Sequence, residues 1–157
     1  MTTEAVPVDS RVPVDFPAGL DPRGARFAAS VTSVVLVVVL LTGSGWLLAA
    51  QGIVFAAGAA LGLRRSPYGL MFRHLIAPRL SPPAEREAEA PPRFAQAVGL
   101  VFAVVGAAGY LSGATAIGMA ATGLALAAAF LNAAFGFCLG CEMYLTYLRL
   151  TRKGVPA

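Results

Sequence analysis

From Phe27 to Phe137 the chain is built mainly of four long apolar runs, and no water-soluble fold accommodates them easily. They are Phe27 to Thr42, Trp46 to Leu63, Phe94 to Leu111, and Ala114 to about Phe137. Gly43-Ser44-Gly45 separates the first two, and Ser112-Gly113 the last two. Each run approaches the ~20 residues that a helix needs to cross a bilayer. The first two are slightly short, a deficit that flanking residues or a thin bilayer can cover. The Val-rich first run would suit a strand in water. Hydrocarbon offers no partners to backbone N–H and C=O groups, so a segment must satisfy its own, and helix is expected. The whole chain of 157 residues is 57% hydrophobic and 13% charged, against about 25% charge in a soluble domain. So few charges cannot coat a water-facing surface.

The cations add a direction. Arg11, Arg23 and Arg26 precede the first run. Arg64, Arg65, Arg73, Arg79, Arg86 and Arg93 lie between the second and third, and Arg149, Arg152 and Lys153 follow the fourth. With four spans, all 12 fall on one side. The positive-inside rule then puts both termini and the central loop in the cytoplasm, in a multi-pass protein of the plasma (inner) membrane. Trp46 and Tyr110 sit near the outer turns, where interfacial aromatics belong. The net charge of +4 is explained by orientation. No basic stretch is interleaved with aromatics as a single-strand binder requires, so no nucleic-acid partner is expected. The lipid bilayer is the expected partner, and a homo-oligomer stays open.

The expected fold is an all-α integral membrane protein: four transmembrane helices as two helical hairpins, each followed by an interfacial amphipathic helix. Residues 1–22 read as a polar cytoplasmic tail, with Pro7, Pro13, Pro17 and Pro22 among scattered acids, too poor in apolar surface to order itself and unlike a signal peptide. Residues 23–153 form the membrane domain, 64–93 its cytoplasmic loop, and 154–157 a C-terminal tail. Asp21 is placed to cap the first helix, with Pro22 at its first position. The amphipathic stretches are Ser66 to Leu80 and Glu142 to Lys153. The linker from Pro82-Pro83 to Pro91-Pro92, with Glu85, Glu87 and Glu89, reads as solvated. A weak repeat matches Arg26-Phe27-Ala28-Ala29-Ser30-Val31 to Arg93-Phe94-Ala95-Gln96-Ala97-Val98, 67 residues later. Both copies open a hairpin from the same side, which describes a parallel repeat about an axis along the membrane normal. The spacings Gly58-Gly62, Gly109-Gly113 and Gly136-Gly140 allow close helix approach.

One motif carries chemistry. Cys138-Leu139-Gly140-Cys141 lies at the cytoplasmic end of the fourth run, where a new helix can begin. Two cysteines at this spacing are close enough to bridge, and a helix N-terminus stabilises a thiolate. Arg64 and Arg65 end the second run at a similar depth and are candidate thiol-activating cations. Glu142 is a candidate proton acceptor for Cys141, or a first-turn charge that complements the helix dipole. Against a chemical role stands simple packing, since cysteine behaves as a small apolar residue. Two cysteines and one histidine cannot build a four-ligand zinc site within one chain, although a second chain or His74 could complete half a site. Asn132 reads as a polar group that holds helices together. There is no Walker loop, no dinucleotide fingerprint and no Ser/His/Asp arrangement, so no cofactor and no metal is expected.

The blocks DPRGARFAA (Asp21 to Ala29), APPRFAQAVGLVF (Ala90 to Phe102) and FGFCLGCEMY (Phe135 to Tyr144) resemble the family catalogued as domain of unknown function 4395. Its members are small bacterial membrane proteins, frequent in actinobacteria, without an established activity. The resemblance implies a neighbourhood of thioredoxin-like proteins and sulfurtransferases. The Gly-Phe-Cys segment is also similar to a membrane module fused to some rhodaneses, where Cys138 is the position that carries over and Cys141 has no obvious counterpart. The expected function is that of a cytoplasm-facing thiol protein handling reducing equivalents or sulfane sulfur, with a thioredoxin-like or rhodanese-like partner. The attacking thiol is Cys138 or Cys141, and in the cytoplasm the resting pair is expected as a dithiol. The alternative is a non-enzymatic permease component or assembly subunit with structural or metal-binding cysteines.

Overall fold

The structure, a computed structural model, describes residues 19–152 apart from 82, 84 and 85. The proline-rich tail over 1–18, part of the linker (Pro82, Glu85) and the C-terminal residues 153–157 lie outside the described residues. Among the described residues there are six α-helices: α1 (Pro22–Thr42), α2 (Gly45–Leu61), α3 (Pro67–Met71), α4 (Ala90–Leu111), α5 (Thr115–Phe135) and α6 (Leu139–Arg152). There is no β-sheet among the described residues, only an isolated antiparallel bridge between Leu20 and Glu87.

Local chemistry sets the helix ends. The Asp21 side chain accepts from Arg23 N–H at 2.9 Å and Pro22 opens α1, as expected. Gly43 closes α1 in the left-handed region at φ 64°, a conformation that costs a residue without a Cβ little. Ser44 caps α2 through Leu47 N–H. Three helices, α1, α4 and α5, are long and apolar enough to cross a membrane, the make-up of a membrane protein. α2 is apolar but only 17 residues long, roughly 26 Å at 1.5 Å per residue. It therefore falls short of the length at which it would count as a fourth span by itself.

The interior is small and partly polar, and the outer surface is apolar, the reverse of a soluble bundle. Leu36, Val39, Leu48 and Phe55 pack with Ala103, Ala107 and Ala125 from the other half of the chain, while Leu41, Trp46, Ile53 and Phe135 are more than 70% exposed. α2 packs on α4, and α1 on α5, with α4 and α5 also joined. Small residues permit this closeness. A Cβ on Gly106 would stand 2.6 Å from Leu48.

The segment after α2 is not one amphipathic helix. After a 3-10 turn over Leu63–Arg65, Pro67, Gly69 and Pro78 divide Ser66 to Leu80 into the short α3, a π turn over Phe72–Ile76 and a second 3-10 turn over Ala77–Arg79. α3 packs against both α1 and α2. It folds back along the bundle far enough for the Tyr68 hydroxyl to donate to Gln51 Oε1 at 2.6 Å. Gln51 lies ten residues before the end of α2, about 15 Å along its axis. Its amide in turn donates to Thr32 Oγ1 at 3.5 Å. Gln51 is 2% exposed, and this chain supplies the partners that a buried amide needs. Burial holds the Tyr68 phenol above its ordinary value of 10.0.

The repeat is visible in space. Arg26 donates to the last carbonyls of α5, Ala133 and Ala134, both at 3.4 Å. Arg93 donates to the last carbonyls of α2, Ala59 and Ala60, at 2.9 and 2.8 Å. Phe27 meets Phe72 at 5.9 Å, and Phe94 meets Tyr144 at 5.7 Å, each pair inclined at 42°. Each half thus carries an arginine that caps the other half's returning helix, followed by a phenylalanine that seats the segment beyond its own.

Candidate functional site

The CxxC turn is formed where α5 ends and α6 begins. Gly136 closes α5 at φ 70°, its N–H bonded to Asn132 O, so the chain can reverse within two residues. Cys138 follows as the residue before α6. The Cys141 backbone N–H points at Cys138 Sγ, 3.3 Å away, and Glu142 N–H donates to Cys138 O at 3.0 Å. Cys138 therefore occupies the N-cap, with its sulfur where a capping oxygen would stand. Ser66 does the same at α3, its Oγ accepting from Gly69 N–H at 3.2 Å.

The sulfurs of Cys138 and Cys141 lie at disulfide distance, with Cα atoms 5.2 Å apart, inside the range that a bridge spans without backbone movement. Both are half-buried. Phe135, Phe137, Leu139 and Met143, the large apolar residues that flank them in the sequence, are exposed. α6 is held down by close contact with α4. A Cβ on Gly140 would stand 2.6 Å from the Ala95 Cα, so any side chain at Gly140 would lift the helix carrying the pair. Tyr144, one turn further on, rests on Phe94.

The charged candidates fall on separate elements. Glu142 is exposed in the first turn of α6. Arg64 and Arg65 are exposed in the 3-10 turn that follows α2, and that turn packs against α2 and α3. α6 packs against α4 and α5 instead. On α4, Arg93 reaches α2 while Ala95 touches α6. Gln96 and Gly99 also meet α2, at Gly58 and Phe55, so α2 and α6 occupy different but neighbouring parts of the α4 surface. The cation found along the CxxC end of α5 is Arg26, whose Nε lies 4.0 Å from where a Cβ on Gly136 would be. In the sequence, Arg26 stands only as a topology signal. The 67-residue match with Arg93 was the feature that could have marked it as a helix cap. His74 is exposed on the π turn, and no group of three metal-ligating side chains occurs among the described residues.

An all-helical bundle with three membrane-length apolar helices and one capped CxxC turn defines the class: a membrane-type helical protein with a single paired-cysteine site. The chain belongs to the family described as Domain of unknown function (DUF4395), whose model matches residues 20–149. The match takes in both halves of the repeat and the CxxC turn. Comparison with curated proteins found no match, and comparison with solved structures found none.

Proposed function

We propose that this protein is a membrane thiol carrier in which Cys138 is the attacking sulfur and Cys141 the resolving one. The observation that supports this order is the Cys141 N–H directed at Cys138 Sγ at 3.3 Å. A helix N-terminus offers unpaired N–H groups and a partial positive charge to a thiolate on the cap. Cys141, within the first turn, lacks that position. In the dithiol state, the Cys138 thiolate attacks one sulfur of a partner's disulfide. A mixed disulfide forms and one partner thiolate leaves. The Cys141 thiolate then attacks Cys138 Sγ, the internal disulfide forms, and the second partner thiolate leaves. Two electrons pass from this chain to the partner, and the reverse sequence returns them. Sulfane sulfur enters by the same nucleophile: the Cys138 thiolate attacks the outer sulfur of a partner's persulfide, that S–S bond breaks, the partner's thiolate leaves, and the persulfide stands on Cys138. A thioredoxin-like or rhodanese-like protein is the proposed partner, and Glu142 the proton acceptor nearest in sequence.

The proposed setting is a four-span protein of the plasma membrane, made of two hairpins, with both termini and the CxxC turn in the cytoplasm. Arg26 and Arg93 at the same end as the turn support this, and so does the apolar outer surface. α2 completes its span with the residues that flank it. Arg64 and Arg65 belong to the cytoplasmic charge.

Trapping tests the order. In membranes, Cys141→Ser should accumulate a mixed disulfide with an offered dithiol partner, and Cys138→Ser should form none. Equal trapping by both variants would remove the assigned order. Failure of the wild type to exchange with any dithiol would favour structural cysteines.

A further inference from the structure

The two halves continue differently beyond their hairpins. After α5 the chain enters α6, whose sequence holds Glu142 as well as Arg149 and Arg152. After α2 it enters a strap, Leu63 to Leu80, that carries Arg64, Arg65, Arg73 and Arg79 and no acid. The strap is pinned along its inner side. Leu63, Ser66 and Phe72 are buried, and Phe72 lies on Gly24, where a Cβ would stand 3.1 Å from its ring. Tyr68 is bonded to Gln51 inside the bundle. At the far end Arg23 donates to Ser81 O at 3.1 Å. Anchors at both ends and in the middle fix the outer side as well. That side exposes all four arginines and, among them, Leu70, Met71, Leu75 and Leu80, each at least 38% exposed.

From this surface we propose that the strap docks on the anionic headgroups of the leaflet it adjoins, its arginines on lipid phosphates and its leucines among the first acyl carbons. Composition identifies the partner. Water suits the arginines and penalises the leucines, and hydrocarbon does the reverse. A bilayer surface takes both side by side, and a face with four cations and no acid selects anionic lipid. Depth agrees. Tyr68 bonds to a residue ten positions inside α2, so the strap lies against the side of the hairpin, where hydrocarbon gives way to headgroups. A guanidinium holds a phosphate through two parallel bonds. Arg79 spends one N–H on Leu75 O at 3.1 Å and keeps the rest of its fork. The headgroup contacts assigned are Arg65, Arg73 and Arg79. Arg64 adjoins Gly62, on which the Glu89 carboxylate rests. This docking rests on the membrane reading and is independent of the thiol chemistry.

The full chain is taken from the membrane fraction and reconstituted into nanodiscs of equal phosphatidylglycerol and phosphatidylcholine. It is then released, and its retained lipids are counted by native mass spectrometry. The wild type should retain phosphatidylglycerol in preference, roughly fivefold for each arginine that meets a headgroup. Arg65→Gln, Arg73→Gln and Arg79→Gln together should abolish the preference, and Arg149→Gln on α6 should leave it unchanged. Circular dichroism checks the helicity of every variant. Should the triple variant fail to fold, the three single substitutions replace it, and each should lower the preference roughly fivefold. Equal retention of the two lipids by the wild type overturns the docking in favour of an acidic soluble partner. A preference that survives the folded triple variant, or that Arg149→Gln removes as fully, overturns the strap as its source. Recovery of the chain in the soluble fraction overturns the membrane reading itself, and the docking with it, before any lipid is counted.

Discussion

Leu20 and Glu87 exchange both of their backbone hydrogen bonds, at 2.8 and 2.9 Å, and they are 67 positions apart, the same interval that separates Arg26 from Arg93 and Phe27 from Phe94. Each of the two is therefore the other's counterpart in the repeat. A residue bonded reciprocally to its own equivalent is the signature of a two-fold axis, and here the axis passes between two halves of one chain. The arginine caps and the aromatic pairs are arranged around it.

The capping geometry predicts which thiol reacts first. With a maleimide near neutral pH, Cys138 in the Cys141→Ser variant should alkylate several-fold faster than Cys141 in Cys138→Ser, because only the cap sulfur receives a backbone N–H. Peptide mass spectrometry over time gives both rates. Arg26→Gln should slow Cys138, being the arginine found beside Gly136. The pair Arg64→Gln and Arg65→Gln, changed together, is the comparison, and stronger slowing there would make the turn after α2 the source of the field.

Arg93→Ala should destabilise the bundle more than Arg26→Ala. Its two bonds are about half an ångström shorter, and each substitution leaves helix-terminal carbonyls without their charged donor. A charge-assisted cap at an exposed position is worth about 1 kcal/mol, or roughly 2–4 °C in Tm for a chain of this size. Thermal denaturation in one detergent, followed by circular dichroism, measures the difference.

Gln51→Leu should cost about 1–3 kcal/mol, since it leaves the Tyr68 hydroxyl without its acceptor beside a nearly closed interior. The phenol of Tyr68 is held above its ordinary 10.0 by burial. The folded state therefore keeps this proton where the unfolded state releases it. The stability associated with it is whole below about pH 10 and declines as pH rises from there towards the folded value. Tyr68→Phe should flatten that alkaline decline, as read from unfolding midpoints at increasing pH.

Reporter fusions test the topology. Fusions at Ser44 and Gly113 should report the external side, and fusions at Ala88 and the C-terminus the cytoplasm. One terminus found outside would show that α2 does not cross.

What the sequence revealed, and what it concealed, follows the range of each interaction. The Asp21-Pro22 start, the Gly43-Ser44 break and the Ser112-Gly113 turn are local signals, and the helices end there. The CxxC spacing was also local, and the pair is within bridging distance. Gln51 escaped notice because one amide in an apolar run gives no pattern. Its partners, Thr32 and Tyr68, lie 19 and 17 residues away. The stretch from Ser66 to Leu80 had an amphipathic composition, but Pro67, Gly69 and Pro78 outweighed periodicity and turned it back into the bundle. Arg26 was counted for its charge, and its role as a cap on α5 depends on a neighbour 107 residues away.

Ser66 and Cys138 cap corresponding helices in the two halves, and this pairing bears on what fusion of the halves permits. Two identical subunits around an axis must carry every side chain twice. Joined in one chain, the halves can diverge: one cap keeps a hydroxyl that holds a turn, and the other becomes a sulfur able to change its bonds. Likewise the seam between α2 and α4 closes on Phe55 while that between α1 and α5 stays open at Gly123. One paired-cysteine turn and one open seam per molecule is a freedom that no symmetric dimer of the half-length chain would have.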